Sequence, residues 1–432
     1  MQISLKNRLI VMSFMQFYVW GAWLITIGNY WFETKQWSGT EFGAIFSTLG
    51  LSSLFMPTIT GLLADRWFNA EQLYGVLHLL GGAALACIPF VEDSTTFFWV
   101  IFLAMIFYMP TISLSNSIAY NVLKSNNFDV IKVFPPIRVW GTIGFIAAMW
   151  TTNLTGNKSA DGQFYIAALA ALGLAIYSFT LPKCPPAGRT KREDKALLDS
   201  ENQNQQVRTV DVIMGTFKLF ADYKMALFFV FSMLLGAALQ LTNMYGDRFV
   251  SDFANIPQYA DSLVVRYSTL IMSISQISET LFILAIPFFL KRFGIKKVML
   301  ISMFAWVLRF GLLAYANPAD GLWMIILSGI VYGMAFDFFN VSGSLFVETA
   351  SAAKIRSSAQ GLFMMMTNGF GAIIGSIVSG IIIDAYFILP NGSMDWSGIW
   401  LTFAGYSLAV TILFAFLFKH KHNPKALESF NH

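Results

Sequence analysis

Along the chain, runs of roughly twenty apolar residues alternate with short polar breaks, and the run length matches what a helix needs to cross a bilayer. Twelve such runs begin near residues 9, 42, 71, 97, 134, 162, 224, 265, 296, 321, 357 and 396. The longest interruption, from about 182 to 222, contains GRTKREDKALLDSENQNQQ and leaves six runs on either side. The pattern predicts an all-α integral membrane protein with twelve transmembrane helices in two six-helix halves. Its parts are an N-terminal half over 1–181, a cytoplasmic central loop over 182–223, a C-terminal half over 224–418 and a cytoplasmic tail over 419–432. The first run, Leu9 to Tyr30, carries Trp20 and Trp23 and is longer than a signal-peptide core, so it reads as a first span.

Composition agrees. The 432 residues are 56% hydrophobic and 12% charged, with a mean hydropathy of +0.60, against about 25% charged in a soluble chain. The net charge of +4 matters less than its placement. With the N-terminus inside, Lys6, Arg8, Arg66, Lys124, Lys132, the basic central loop, Lys291, Arg292, Lys296, Lys297, Lys354, Arg356, Lys419, Lys421 and Lys425 all fall on the cytoplasmic side. Only Lys35, Lys158, Arg248 and Arg266 fall outside, the asymmetry expected of a correct span count with cytoplasmic termini. Cys87 and Cys184 stand far apart and the four histidines are scattered, which predicts no disulfide, no metal site and no cofactor. His78, in an apolar run, reads as a packed helix residue.

The loops GLLADRWFNAEQLYG (61–75) and FFLKRFGIKKVML (288–300) each follow the second span of a half and carry a basic turn. Two halves with matching turns suggest a parallel repeat, the plan of the major facilitator superfamily. The superfamily pattern, Gly-x-x-x-Asp-Arg-x-Gly-Arg-Arg, is similar here at Gly61, Asp65 and Arg66, which the resemblance assigns to a cytoplasmic gate. The second copy keeps Arg292, Gly294, Lys296 and Lys297 but lacks the aspartate.

Polar residues inside the runs recur at helical spacing. Span 5 places Arg138, Thr142 and Phe145 on one face; span 7 pairs Gln240 with Asn243, and span 8 pairs Gln276 with Glu279. Span 10 carries Tyr332, Phe336, Asp337 and Asn340. Stripes of this kind face a shared interior, not lipid. Single amides in membranes often only join helices, but four helices with paired stripes point to a binding cavity. Amides, a guanidinium and carboxylates suit hydroxyls and amide-like edges, and aromatic faces suit a planar ring, so the chemistry favours a nucleoside-like ligand. Glu279 and Asp337 are both candidate proton carriers, with Arg138 and Arg309 as candidate partners. GFGAIIGSIVSG, with Gly371 and Gly375 four apart, reads as close helix packing.

At FPPIRVWGTIGF, GAALQLTNMYG, MSISQISETLFIL and VYGMAFDFFNVSGSLFVE, and at WGAWL, ADRW and AQGLFMMMTNGFG, the chain closely resembles the bacterial nucleoside permeases of the nucleoside:proton symporter family. That resemblance implies proton-driven uptake of purine and pyrimidine nucleosides across the bacterial inner membrane, by alternating access about a central site between the halves. It assigns to that site Arg138, Thr142, Phe145, Gln240, Asn243, Gln276, Glu279, Tyr332, Phe336 and Asp337. One departure is Ala238, where close relatives would carry an acidic residue; it lies off the binding face. The implied partners are nucleosides, protons and membrane lipid, with no nucleic acid, and the protein is expected to be a monomer. A sugar or drug carrier of the same superfamily and a non-transporting receptor are the alternatives. An enzyme is disfavoured by the lack of a zinc motif, of a nucleophile with a base and of a soluble domain.

Overall fold

A computed structural model describes residues 2–186, 218–351 and 356–420. Most of the predicted central loop, all of the tail beyond 420, and Lys354 lie outside the described residues. The chain divides into two compact units, Met1–Gln203 and Asn204–His432. Among the described residues the secondary structure is helical, apart from an isolated bridge between Ile388 and Met394.

The first unit contains α1 (Gln2–Gly21), α2 (Gly39–Arg66), α3 (Ala70–Cys87), α4 (Ser94–Ser125), α5 (Val130–Leu154) and α6 (Gly162–Ser178). The second contains α7 (Tyr223–Asp252), α8 (Ser268–Tyr315), α9 (Leu322–Ala350), α10 (Ala359–Tyr386) and α11 (Trp396–Leu417). Nine of these are long and apolar enough to cross a membrane, by length and composition among the described residues. Polar residues set where they begin. Ser38 and Glu41 form a capping box at α2, and the carboxylates of Asp93, Asp222 and Asp395 accept amide hydrogens from Thr96, Met225 and Gly398 at α4, α7 and α11.

α8 is a hairpin of two arms, not one rod. Gly294 breaks it with φ 76 and ψ 168, a conformation that needs glycine. Ser278 on the first arm and Ser302 on the second both donate to α9, at the carbonyls of Ile330 and Ala335. On a straight helix the two serines would lie about 36 Å apart, yet their acceptors are about 8 Å apart along α9. The arms must therefore fold back side by side. This is where the sequence places separate spans starting near 265 and 296.

The continuous first span expected from Leu9 to Tyr30 is different in the structure. α1 loosens after Gly21, and Tyr30–Lys35 is π-helical. The break follows a close crossing: a Cβ at Gly21 would meet the Phe145 carbonyl of α5 at 2.5 Å. The displaced backbone stays satisfied, because Thr152 donates to the Ala22 carbonyl at 2.8 Å.

Small residues make a second close crossing in the second unit. A Cβ on Gly371 or Gly375 of α10 would come within 2.5 Å of the Met233 carbonyl or the Ala237 Cα of α7. α10 is π-helical over Met365–Gly371 at this contact. Outside the helices, Cys184 returns the chain to the start of α3: its amide donates to Glu71 at 2.8 Å, and its carbonyl accepts from Ala70 at 3.0 Å. Burial, and then the Glu71 charge, push the Cys184 thiol up to about 12, so it stays protonated and unreactive.

Replacing Gly375 by leucine should lower stability in detergent by about 1–3 kcal/mol or prevent folding, because α7 backbone occupies the space. Gly405→Ala, where an added Cβ meets nothing within 4 Å, should leave the thermal unfolding midpoint unchanged.

Candidate functional site

In the second unit the arrangement starts from Arg309, which is fully buried on the second arm of α8. Its Nε donates to the Thr242 hydroxyl of α7 at 3.2 Å, and its Nη1 donates to Ser275 Oγ on the first arm at 3.3 Å and to the Ser328 carbonyl of α9 at 2.7 Å. The guanidinium lies 4.6 Å from the Tyr332 ring centroid, an attractive cation–π distance. A single cation thus joins α7, both arms of α8 and α9. Trp306 meets Tyr332 edge-on at 5.8 Å.

Ser278, the neighbour of Glu279, packs against Ile330 and Gly333 of α9, and Arg309 lies over Tyr332, so both arms of α8 meet the stretch of α9 that carries Tyr332 and Asp337. Asp337 is 5% exposed, whereas Glu279 is half-buried. Phe336 is half-buried and lines a small cavity with Leu235, Trp306, Asn340 and Thr367. Ala238 is buried on α7.

The amides of this unit fall in the same region without bonding to it. Gln240, Asn243 and Gln276 make no side-chain hydrogen bond to any described residue, and the carbonyl oxygens of Gln240 and Gln276 are buried. Other amides in the chain behave differently. Gln163 donates to the carbonyls of Lys158 and Ala160 and accepts from Thr26. Gln16 donates to Thr111 at 2.8 Å while its oxygen accepts from Tyr74 at 2.6 Å and from His78 Nε2 at 3.0 Å. His78 is thus a packed, bonded residue, as its apolar run implies. Bonds within the protein account for Gln16 and Gln163, but none to a described residue accounts for Gln240, Asn243 and Gln276. A buried amide left unmatched costs about 1–3 kcal/mol, so these three side chains keep hydrogen-bonding capacity for a group that enters.

In the first unit, α5 presents Arg138, Thr142 and Phe145. The Arg138 guanidinium lies 4.0 Å from the Phe17 ring centroid. Gly141 leaves room for this stack, since a Cβ there would come within 2.7 Å of both partners. Phe145 meets Trp20 edge-on at 6.3 Å, and Trp20 meets Tyr108 at 5.7 Å. Thr142 makes no side-chain hydrogen bond to a described residue, and Trp20 Nε1 is buried without a partner. Trp20 was not among the predicted site residues; its only sequence signal is its place in WGAWL. Of the residues that the resemblance assigns to a gate, Gly61 faces open space and Arg66 is exposed, while the Asp65 side chain lies outside the described residues.

A family model described as Nucleoside H+ symporter matches residues 1–423. The chain belongs to this family. It is therefore a membrane transporter, not an enzyme. The nucleoside permease NupG of Escherichia coli K12 is 47% identical over 421 residues, covering 97% of each chain. The xanthosine permease of the same organism is 46% identical over 427 residues, covering 99% of each. A crystal structure of the nucleoside transporter NupG superposes with a TM-score of 0.87 at 46% identity, over 96% of this chain and 100% of that one. Membership of the nucleoside H+ symporter family gives the unmatched amides a context in which a polar cargo must enter the protein.

The two kinds of amide should separate experimentally. Gln16→Leu strands Tyr74, His78 and Thr111 and should destabilise the protein by about 1–3 kcal/mol in thermal unfolding. Gln276→Leu, with no protein partner to strand, should leave the midpoint unchanged or raise it.

Proposed function

We propose that the chain takes up purine and pyrimidine nucleosides across the bacterial cytoplasmic membrane, coupled to proton entry, by alternating access. The observation that carries this reading is the set of amides at Gln240, Asn243 and Gln276. They are matched by no described residue, lie in the unit that carries Glu279, Tyr332 and Asp337, and belong to a chain of the nucleoside H+ symporter family. The names of the NupG and xanthosine permeases support the substrate class.

The architecture in this proposal has twelve spans in two halves. The nine long apolar helices are joined by the second arm of α8, by α1 and by the shorter apolar helix α6. The lysine and arginine bias supports cytoplasmic termini. Gly61, Asp65 and Arg66 are assigned to the cytoplasmic gate, and the transporter works as a monomer.

Gln240, Asn243, Gln276 and Glu279 read ribose hydroxyls and base edges, with Tyr332 and Phe336 against the ring. Arg138, Thr142 and Phe145 are the first unit's contribution to the binding set. Asp337 carries the proton, because it is the more buried carboxylate and neutralising it lowers the cost of enclosing it. Arg309 holds Tyr332 in place beside both carboxylates, and Arg138 is the counter-charge of the first unit.

In inverted or right-side-out vesicles, labelled uridine should accumulate only with an imposed inward proton gradient, and unlabelled nucleosides but not sugars should compete. Asp337→Asn should abolish accumulation while retaining uridine exchange. Glu279→Gln should weaken both, by about tenfold for a lost charged hydrogen bond. Uptake by the unaltered protein that ignores the gradient would overturn the symport reading.

A further inference from the structure

Trp20 is set apart by what its indole lacks. Elsewhere in the chain, Trp31 Nε1 donates to the Ser38 carbonyl at 2.9 Å and Trp396 Nε1 to Asp252 at 2.7 Å. Among the described residues, two buried indole N–H groups have no acceptor, those of Trp20 and Trp400. Their surroundings differ. Trp400 is 0% exposed and packs against the rings of Phe249, Phe310, Trp396 and Phe403, so its donor is sealed in an aromatic core. Trp20 is half-buried and lies against Phe145, on the α5 face that also carries Thr142.

The polar groups beside Trp20 are spent on one another. Tyr108, whose ring lies 5.7 Å from the indole, donates its hydroxyl hydrogen to the Gln16 carbonyl at 2.7 Å. Gln16 gives its amide to Thr111, and its side-chain oxygen takes Tyr74 and His78. The backbone that carries Trp20 is fixed as well: a Cβ at Gly144 of α5 would run into the Phe14 carbonyl of α1, as one at Gly21 would into that of Phe145. The indole thus has a fixed stem and no described residue to donate to. Thr142, half-buried less than one turn from Phe145, bonds to no described residue either. An indole N–H donates and cannot accept, so it calls for an acceptor from outside the protein. The rings of Trp20 and Phe145 suit a planar group that carries this acceptor on its edge.

We propose that Trp20 is a specificity-determining residue, whose N–H reads a carbonyl oxygen on the nucleobase. The inference rests on the nucleoside reading. Within the alternating-access cycle proposed above, the N–H is covered in this conformation and meets the base in the one that admits it. Uridine carries such carbonyls; adenosine carries an amino group and ring nitrogens but none. Trp20 therefore favours keto-bearing bases over adenosine. A contact to the ribose would act on every nucleoside alike.

The test replaces Trp20 alone, in the full chain, by 3-benzothienylalanine, which keeps the shape of the ring and puts sulfur in place of the N–H. In vesicles under an inward proton gradient, the half-saturation concentration for uridine should rise about three- to tenfold, the worth of one neutral hydrogen bond. That for adenosine should stay within about twofold. Thermal unfolding of the purified, cargo-free protein should shift to a higher midpoint, because an unmatched buried donor has been removed. The same replacement at Trp400 should raise the midpoint and leave both half-saturation concentrations unchanged. A structural role for Trp20 would give the Trp400 result at both positions and overturns the proposal. So does a rise of uridine and adenosine by the same factor, or a lowered midpoint, which would mean that the N–H already has a protein partner. Failure of the unaltered protein to take up uridine overturns the nucleoside reading itself, and the role of Trp20 with it.

Discussion

A polar side chain inside a membrane helix has no water to turn to, so each one must find a hydrogen-bond partner in the protein or in something the protein admits. In this chain that constraint divides chemically identical residues into two groups. Gln16 is engaged by Thr111, Tyr74 and His78 on other helices, and Gln163 by Thr26 and by the turn that precedes α6. Gln240, Asn243 and Gln276 are engaged by no described residue. The first group holds the first unit together; the second is the chemical basis for reading the protein as a carrier of a polar cargo.

The open amides are useful only if the helices that carry them are fixed. Arg309 supplies that order, linking α7, both arms of α8 and α9 through three hydrogen bonds and the Tyr332 ring. Its bonds go to hydroxyls and a carbonyl, so the cation is anchored whether or not the nearby carboxylates are charged. A carboxylate can then change protonation without releasing the scaffold. The glycine crossings serve the same end by another route: α10 lies on α7 closely enough that Gly371 and Gly375 admit no side chain.

Much of this was legible in the sequence. Helix starts predicted near 162, 224, 321 and 396 fall at Gly162, Tyr223, Leu322 and Trp396, because apolar runs of bilayer length end at strong polar breaks and caps. The stripe on α8 was legible because the periodicity of a helix is local. What was not legible depends on partners distant along the chain. Gln16 looks like a lone glutamine in an apolar run, and only the fold reveals that it meets Thr111 and His78. The loosening of α1 after Gly21 leaves no mark in an unbroken apolar run, and the close approach of Phe145 on α5 at that point is visible only in the fold. Trp20 escaped for the same reason: its significance lies in what surrounds it.

The central claim is that the unmatched amides of the second unit are matched by cargo. A high-resolution structure with uridine bound tests it most directly. The account predicts the nucleoside within hydrogen-bonding distance of Gln240, Asn243 and Gln276, its ribose near Glu279 and its ring against Tyr332 or Phe336. Uridine bound elsewhere, with these three amides turned onto protein partners, would contradict it.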